Sequence, residues 1–289
     1  MIGTEMSANG VTRDRSDRCK ICGSSADLAF ALPIGKMTGH AMPAAPDDCD
    51  YFQCSSCQFC YTRQLDESSH ETIYDDDYWH HQDPDWYGRV NQTFRLVAMA
   101  NELRQGHLPD LEILDFGCGA GGFLEIGRRD LGLNVWGSDI IPPRVGTEWY
   151  LDTIEGRQFD IIVACEVIEH LPAPMDIFRR LRAHLKPFGV IAFQTAQWDP
   201  AVCDRNWWYV GPGNGHISLY SVGAFDSLFT LLGGRKRTSW NYPGVQAWQF
   251  NQEVAVVRRS ALRRLAKKVG RLAGARARLG HASPVNSRP

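Results

Sequence analysis

Past Pro109, short apolar runs alternate with stretches of helical periodicity. The pattern predicts strands over Glu112–Phe116, Asn134–Ile140, Phe159–Cys165 and Val190–Thr195, with helices from about Gly121 to Asp130 and over Met175–Leu185. Such an order of elements implies βαβ units, and therefore an α/β fold with a parallel, Rossmann-like sheet. After a helix over Val222–Leu232 come two strand-like segments, Arg235–Tyr242 and Gln246–Val257, with no helix between them. They are expected to close the sheet as an antiparallel hairpin at one edge. Between Leu65 and about Gly106, residues such as Ile73, Tyr74, Trp79, Trp86, Val90 and Phe94 suggest helices joined by the turn Asp83-Pro84-Asp85. These aromatics either pack as a helical layer on the next domain or line a substrate pocket.

Composition narrows the class. With 289 residues, 44% apolar and 22% charged, the chain has enough material for a substantial core, which rules out disorder, collagen-like repeats or a coiled coil as global descriptions. No run of 18 apolar residues exists to cross a bilayer, and the polar start, with Glu5, Arg13, Asp14 and Asp17, does not show the apolar run expected of a secretory signal. The expected location is cytoplasmic. The net charge of −2 hides a segregation, because nine of the 31 Lys and Arg lie between Arg258 and Arg278, a stretch without an acid. There Leu262, Leu265, Val269 and Leu272 fall at helical spacing opposite Arg263, Arg264, Lys267, Lys268 and Arg271. This cationic amphipathic tail suits peripheral contact with an anionic membrane, a nucleic acid, or the acidic remainder of the chain.

The cysteines are segregated as well. Cys19-Lys-Ile-Cys22-Gly23 and Cys54-Ser-Ser-Cys57 form two C-x2-C pairs, the spacing with which two tight turns offer four thiolates to a structural zinc ion. Cys57 and Cys60 have the same spacing, and Cys49 is a spare, so the second pair has a competing register. Cys54 with Cys57 is preferred because Tyr51 and Phe52 leave a short strand leading into the turn.

Asp115-Phe-Gly117-Cys118-Gly119-Ala-Gly121-Gly122 follows an apolar strand and opens a helix, the context of a backbone loop that lets a nucleotide-like ligand approach closely. A dinucleotide fits the glycines, but Asp115 would stand near its pyrophosphate. The ammonium and sulfonium of S-adenosylmethionine suit an acid at the strand end. Asp139, ending the next strand, can hold the hydroxyls of a ribose. Together with Glu166-Val-Ile-Glu169-His170-Leu-Pro, these residues resemble the class I S-adenosylmethionine-dependent methyltransferases over roughly residues 110–257. The resemblance implies that Gly117, Gly119 and Gly121 cradle the methionine part, Asp115 faces its amino group, Asp139 holds the ribose and Ile140 packs on the adenine. Asp152 is the expected partner of the adenine amino group, and Cys118 and Cys165 complete the cofactor set as small apolar side chains. The span from Asp139 to Asp160 is short, so the third strand and its preceding helix are abbreviated.

Methyl transfer is an in-line displacement in which the protein aligns donor and acceptor and, for a hydroxyl, removes or polarises a proton. Glu166, Glu169 and His170 leave the fourth strand on the cofactor side, and His216, ending a glycine-rich loop, can return to the same cleft. This set resembles the divalent-ion site of the small-RNA 2′-O-methyltransferases and of the ubiquinone-pathway O-methyltransferases, which implies a second divalent metal. His216-Ile-Ser-Leu-Tyr220-Ser221 and the early cysteines partly resemble the deoxysugar C-methyltransferases. Trp198, Trp207, Trp208 and Tyr209 are expected to wall the acceptor site, with Asn206 and Asn214 as polar contacts. The resulting expectation is an enzyme in four parts: a zinc ribbon-like module (1–62), a helical cap or linker (63–109), a methyltransferase domain (110–258) and the basic tail (259–289). It methylates a hydroxyl of a saccharide or small metabolite. RNA methylation, sugar C-methylation and a catalytically idle zinc-ribbon adaptor are the alternatives.

Overall fold

The computed structural model describes residues 16–67, 86–238 and 244–250. The basic tail, the aromatics Tyr74, Tyr78 and Trp79, the turn at Pro84 and the end of the last expected strand lie outside them.

Strand β5 (Glu112–Phe116) and strand β7 (Phe159–Cys165) have the bounds expected from their apolar runs. With β6 (Asn134–Ser138), β8 (Leu185–Gln194), β10 (Gly234–Thr238) and β11 (Val245–Phe250) they form a six-stranded sheet in the order β10-β11-β8-β7-β5-β6. The three pairings that join β6, β5, β7 and β8 are parallel, whereas β8 with β11 and β11 with β10 are antiparallel. The expected edge hairpin is therefore present. The short span after Asp139 leaves β6 as the outer strand, bridged only at Gly137 by Tyr150.

Successive side chains of a strand point to opposite faces, and β7 is buried on both. Ile161 and Val163 pack with Leu96, Val97 and Ala100 of α1 (Trp86–Arg104) and with Phe123 and Leu124 of α2 (Gly122–Arg129). Ile162 and Ala164 pack with Phe178 and Leu181 of α3 (Pro174–Ala183) and with Phe225 and Phe229 of α4 (Val222–Leu231). The helical stretch before Pro109 is thus a packed layer: α1 lies on β7, β8 and β11. Strand β6 ends at Ser138, two residues before its expected end, and the start of β8 differs most from its expectation. Strand β8 starts at Leu185, which pairs with Phe159 and ends α3 early, and an irregular register with Phe188 at φ 62° carries the strand on to Val190.

A second sheet contains β1 (Ser16–Arg18), β2 (Ser25–Leu32), β3 (Cys49–Cys54), β4 (Cys60–Thr62) and β9 (Ser218–Leu219), in that order and antiparallel throughout. Its last strand comes from the far half of the chain. Phe59 stacks on Tyr61, which shares one core with Tyr220 and Phe225 of the α/β half. The described residues accordingly lie in one compact unit. None of their helices is long and apolar enough to cross a membrane.

Candidate active site

The cysteine sheet ends in two turns of the same shape. Gly23 donates its N–H to the Cys19 carbonyl (3.0 Å), and Gln58 donates to that of Cys54 (3.1 Å). Both residues following the second cysteine of each pair are left-handed, Gly23 at φ 73° and Gln58 at φ 61°. That curl turns amides toward sulfur: Ile21 N–H points to Cys19 Sγ, and Ser56 and Cys57 N–H to Cys54 Sγ, all at 3.4 Å. The sulfurs of Cys19, Cys22, Cys54 and Cys57 lie within 4.8 Å of one another, with Cys19–Cys57 and Cys22–Cys57 at 3.7 Å and Cys22–Cys54 at 3.5 Å. A zinc tetrahedron with bonds near 2.3 Å has edges of about 3.8 Å, so the four thiols fit one ion. The contact with Cys57 holds the Cys19 thiol down to about 5 and pushes Cys57 up. Cys60 is outside the set, because the pleat that sends Phe59 and Tyr61 to one face sends Cys60 to the other, beside Cys49.

At the carboxyl ends of β5, β6 and β7 lies a cavity of about 590 Å³. Gly117 lines it at φ 78°, and a Cβ there would overlap Val167. Gly119 also lines it and donates its N–H to Asp139 Oδ2 (2.7 Å), while the other carboxylate oxygen accepts from Ile140 N–H (2.7 Å). Asp139, Ile140, Asp152 and Cys165 line the same cavity. Asp115 and Cys118 line a small adjoining recess, and burial together with the charge of Asp139 pushes the Asp115 carboxyl well up. Gly121 reaches neither space. It opens α2 at φ 88°, where a Cβ would overlap the Val145 carbonyl, so its part is to shape the loop.

Glu166, Glu169, His170 and His216 all line the main cavity. Glu166 sits at φ 53°, a left-handed conformation that few side chains adopt and that turns its carboxylate off the strand end. His216 Nδ1 lies 2.9 Å from the Tyr209 carbonyl, which can only accept, so Nδ1 carries the proton and the Nε2 lone pair is left for the cavity. Burial pushes this imidazole well below its ordinary range, keeping it neutral. The His170 ring meets it edge-on, 4.8 Å between centroids.

Tyr209, assigned from sequence only to an acceptor wall, has a different place. It is 3% exposed, and its hydroxyl contacts Glu166 Oε2 (2.7 Å), Glu169 Oε1 (2.6 Å) and Thr195 Oγ1 (3.1 Å). One phenolic proton cannot serve two carboxylates at those distances, so the pair of acids retains a proton of its own near neutrality. Burial, then the charge of Glu169, raises Glu166 to about 7. Gln194 steadies it through Oε1 (3.2 Å). Sequence reading placed Tyr209 at the site but missed its bond to the acids, and it missed Gln194 and Thr195 altogether, because their partners are remote in the chain. It also missed Arg89 of α1, which lines both cavities and whose only local signal was its place in an aromatic helix. The aromatic wall is narrower than expected. Trp198 is 2% exposed and Trp207 packs against it, whereas Trp208 alone of the three tryptophans is open, at 58%.

The titration of Glu166 has opposite consequences for activity and stability. As a base it must be ionised, so turnover of metal-free enzyme is expected to fall as pH drops through about 7. Because its folded value is raised, protonated Glu166 gives its stability contribution in full below the ordinary carboxylate range, and that contribution is lost as pH rises through about 7. Glu166→Gln is expected to abolish the acid limb of the rate profile and, above pH 7, to unfold at higher urea than the parent by about 1–3 kcal/mol. Urea melts at two pH values check this; equal midpoints throughout would place the titration elsewhere.

An antiparallel hairpin closing one edge of a parallel sheet, a glycine loop facing an acid at the end of the next strand, and a carboxylate and histidine cluster beside them define a class. The family described as a methyltransferase domain matches residues 78–238, more than half of the chain. The chain belongs to that family, and its sheet is that of the class I S-adenosylmethionine-dependent methyltransferases. Among curated proteins it is 28% identical over 134 residues to the ubiquinone biosynthesis O-methyltransferase of Actinobacillus pleuropneumoniae serotype 7, covering 36% of this chain and 57% of that one. It is 37% identical over 107 residues to the protein of the same name from Roseobacter denitrificans, covering 31% of this chain and 43% of that one. The chain thus spans about half the length of these relatives. Among solved structures, the Burkholderia thailandensis 1,6-didemethyltoxoflavin-N1-methyltransferase, with 1,6-didemethyltoxoflavin and S-adenosylhomocysteine bound, shares the fold at 14% identity and a TM-score of 0.50, over 74% of this chain and 99% of that one.

Proposed function

We propose that this protein transfers the methyl group of S-adenosylmethionine to a hydroxyl of a saccharide or another small metabolite. The observation that carries the reading is the convergence of Gly117, Gly119 and Asp139 with Glu166, Glu169, His170 and His216 on one cavity. In this reading Asp139 binds the ribose hydroxyls, Ile140 covers the adenine with Asp152 at its amino group, Asp115 faces the ammonium, and Arg89 pairs with the cofactor carboxylate. The acceptor oxygen attacks the methyl carbon in line, the bond to sulfur breaks with its electron pair on sulfur, and the hydroxyl proton passes to Glu166, which lies outside the metal-ligand group. The O-methyltransferase names of the curated relatives favour oxygen over carbon or nitrogen as the acceptor atom.

Two metal sites belong to this reading. Cys19, Cys22, Cys54 and Cys57 hold a structural zinc ion. Glu169, His170 and His216 offer ligand atoms within 4.8 Å of one another, and Glu169 Oε2 is buried with no hydrogen-bond partner among the described residues, which fits a divalent ion such as Mg²⁺, Mn²⁺ or Zn²⁺. When bound, that ion would lower the pKa of a coordinated acceptor hydroxyl. The test is incubation of the purified full chain with labelled S-adenosylmethionine and separate small-molecule and RNA fractions of cell extract, before and after treatment with chelator. Label should enter a small molecule, and chelation should reduce transfer at least about tenfold, with restoration by added metal. Label entering only RNA would replace the reading with its RNA alternative, and transfer untouched by chelator would remove the divalent ion.

A further inference from the structure

The loop joining β2 to β3 leaves the cysteine sheet and reaches the catalytic cavity, which Thr38 lines together with Trp208 and Asn214. It is fixed there by contacts from Lys36 to Gly39. Gly213 N–H donates to the Lys36 carbonyl (2.9 Å), Thr38 N–H to Asn214 Oδ1 (2.6 Å) and Gly39 N–H to the Trp208 carbonyl (2.7 Å). The fit has no slack. A Cβ on Gly211 would stand 2.6 Å from Thr38 Cγ2, and one on Gly213 would stand 2.9 Å from Met37 Sδ.

These bonds decide which chemistry faces the cavity. The Trp208 backbone is pinned while its indole remains open, so a flat apolar face is presented without much loss of freedom on binding. Because Asn214 Oδ1 accepts from Thr38, its amide group is oriented and its NH₂ is the end left to donate. The Thr38 hydroxyl adds a group that both donates and accepts. Lys36, the cation of this loop, is 1% exposed and donates its ammonium to the Val210 carbonyl, so it does not line the cavity. The cavity's two arginines stand elsewhere. Arg89 also lines the recess at the glycine loop, and Arg180 donates to Glu155 (3.0 Å). A stacking face flanked by a donor and a hydroxyl, with no cation among them, matches an uncharged ring bearing hydroxyls and offers nothing to a phosphate.

We infer that Thr38, Asn214 and Trp208 form the clamp that selects the acceptor, that the cysteine-rich sheet therefore supplies part of the substrate site, and that the acceptor class is an uncharged, hydroxyl-bearing ring. This rests on the methyl-transfer reading above. The test is saturation-transfer NMR on the full-length protein with S-adenosylhomocysteine present, using methyl α-D-glucopyranoside, catechol and glucose 1-phosphate as probes. Signal from the pyranoside identifies a saccharide ring, and signal from catechol an aromatic one; either supports the clamp. Trp208→Ala should weaken binding at least about tenfold and Trp208→Phe should recover most of it, as expected when a ring face carries the contact. Thr38→Val and Asn214→Asp, which preserves the oxygen that Thr38 N–H needs, should each weaken it about three- to tenfold. Calorimetric affinity for S-adenosylhomocysteine should stay unchanged in all four variants. Glucose 1-phosphate binding as well as the pyranoside, wild-type binding by Trp208→Ala, Thr38→Val and Asn214→Asp, or no binding of either neutral ring would overturn the clamp. Failure to bind S-adenosylhomocysteine would instead strike the methyl-transfer reading.

Discussion

His216→Ala is expected to lower methyl transfer by about 10²–10⁴-fold while S-adenosylhomocysteine affinity changes by no more than about twofold. Its imidazole lines the cavity with Nε2 unprotonated and has no counterpart on the glycine-loop side. What holds the segment in place is backbone. The His216 N–H donates to the Gly211 carbonyl (3.1 Å) and its own carbonyl accepts the Tyr51 hydroxyl (2.7 Å), and both bonds survive truncation to alanine. The variant should therefore fold, bind cofactor product and fail at the acceptor end. Labelled transfer to the extract fraction gives the first quantity and calorimetry the second. Equal loss of both, with an unchanged melting temperature, would show that His216 stands outside the reaction centre.

Cys54→Ser should release the zinc ion and lower stability by about 3–5 kcal/mol, a fall of roughly 10 °C in melting temperature for a chain of this size. The damage should spread beyond the cysteine turns. Ser221 Oγ donates to the Cys57 carbonyl (2.7 Å) and itself accepts Ala224 N–H (3.0 Å) to cap α4. Strand β4 pairs with β9, two residues past His216, so a disordered ribbon also loosens the acceptor side of the cavity. Cys60→Ser is the control for register: its metal content should stay at the parent's level, since Cys60 points away from the set. Metal analysis of the two variants decides the matter. Zinc retained by Cys54→Ser, or lost from Cys60→Ser, would reassign the fourth ligand.

The elements that sequence placed best are those where one local signal suffices. The runs at Glu112–Phe116 and Phe159–Cys165 are apolar on both faces and bounded by turn residues, as central parallel strands must be. Asp115 through Gly122 read as a ligand loop because glycines are needed where a backbone turns left-handed against a neighbouring side chain. The paired cysteines read as metal ligands because spacing alone puts two thiols on one tight turn.

Other features depend on contacts between residues far apart in the chain. Whether Cys57 or Cys60 completes a pair with its neighbour was open until the β3–β4 register fixed which face each side chain takes. Trp198, Trp207 and Trp208 are chemically alike in sequence, and only packing buries the first against Phe30, half-buries the second against Trp198 and leaves the third open. Tyr209 became a member of the acid cluster because the loop before His216 folds back over β7, bringing a phenol to two carboxylates some forty residues earlier. Sequence by itself determined the parallel sheet, its glycine loop and the thiol pairs, since periodicity and spacing act over a few residues. Tertiary structure decided that the cysteine sheet is closed by β9 and lends Thr38 to the cavity. Those are matters of register and long-range packing, which no local pattern encodes.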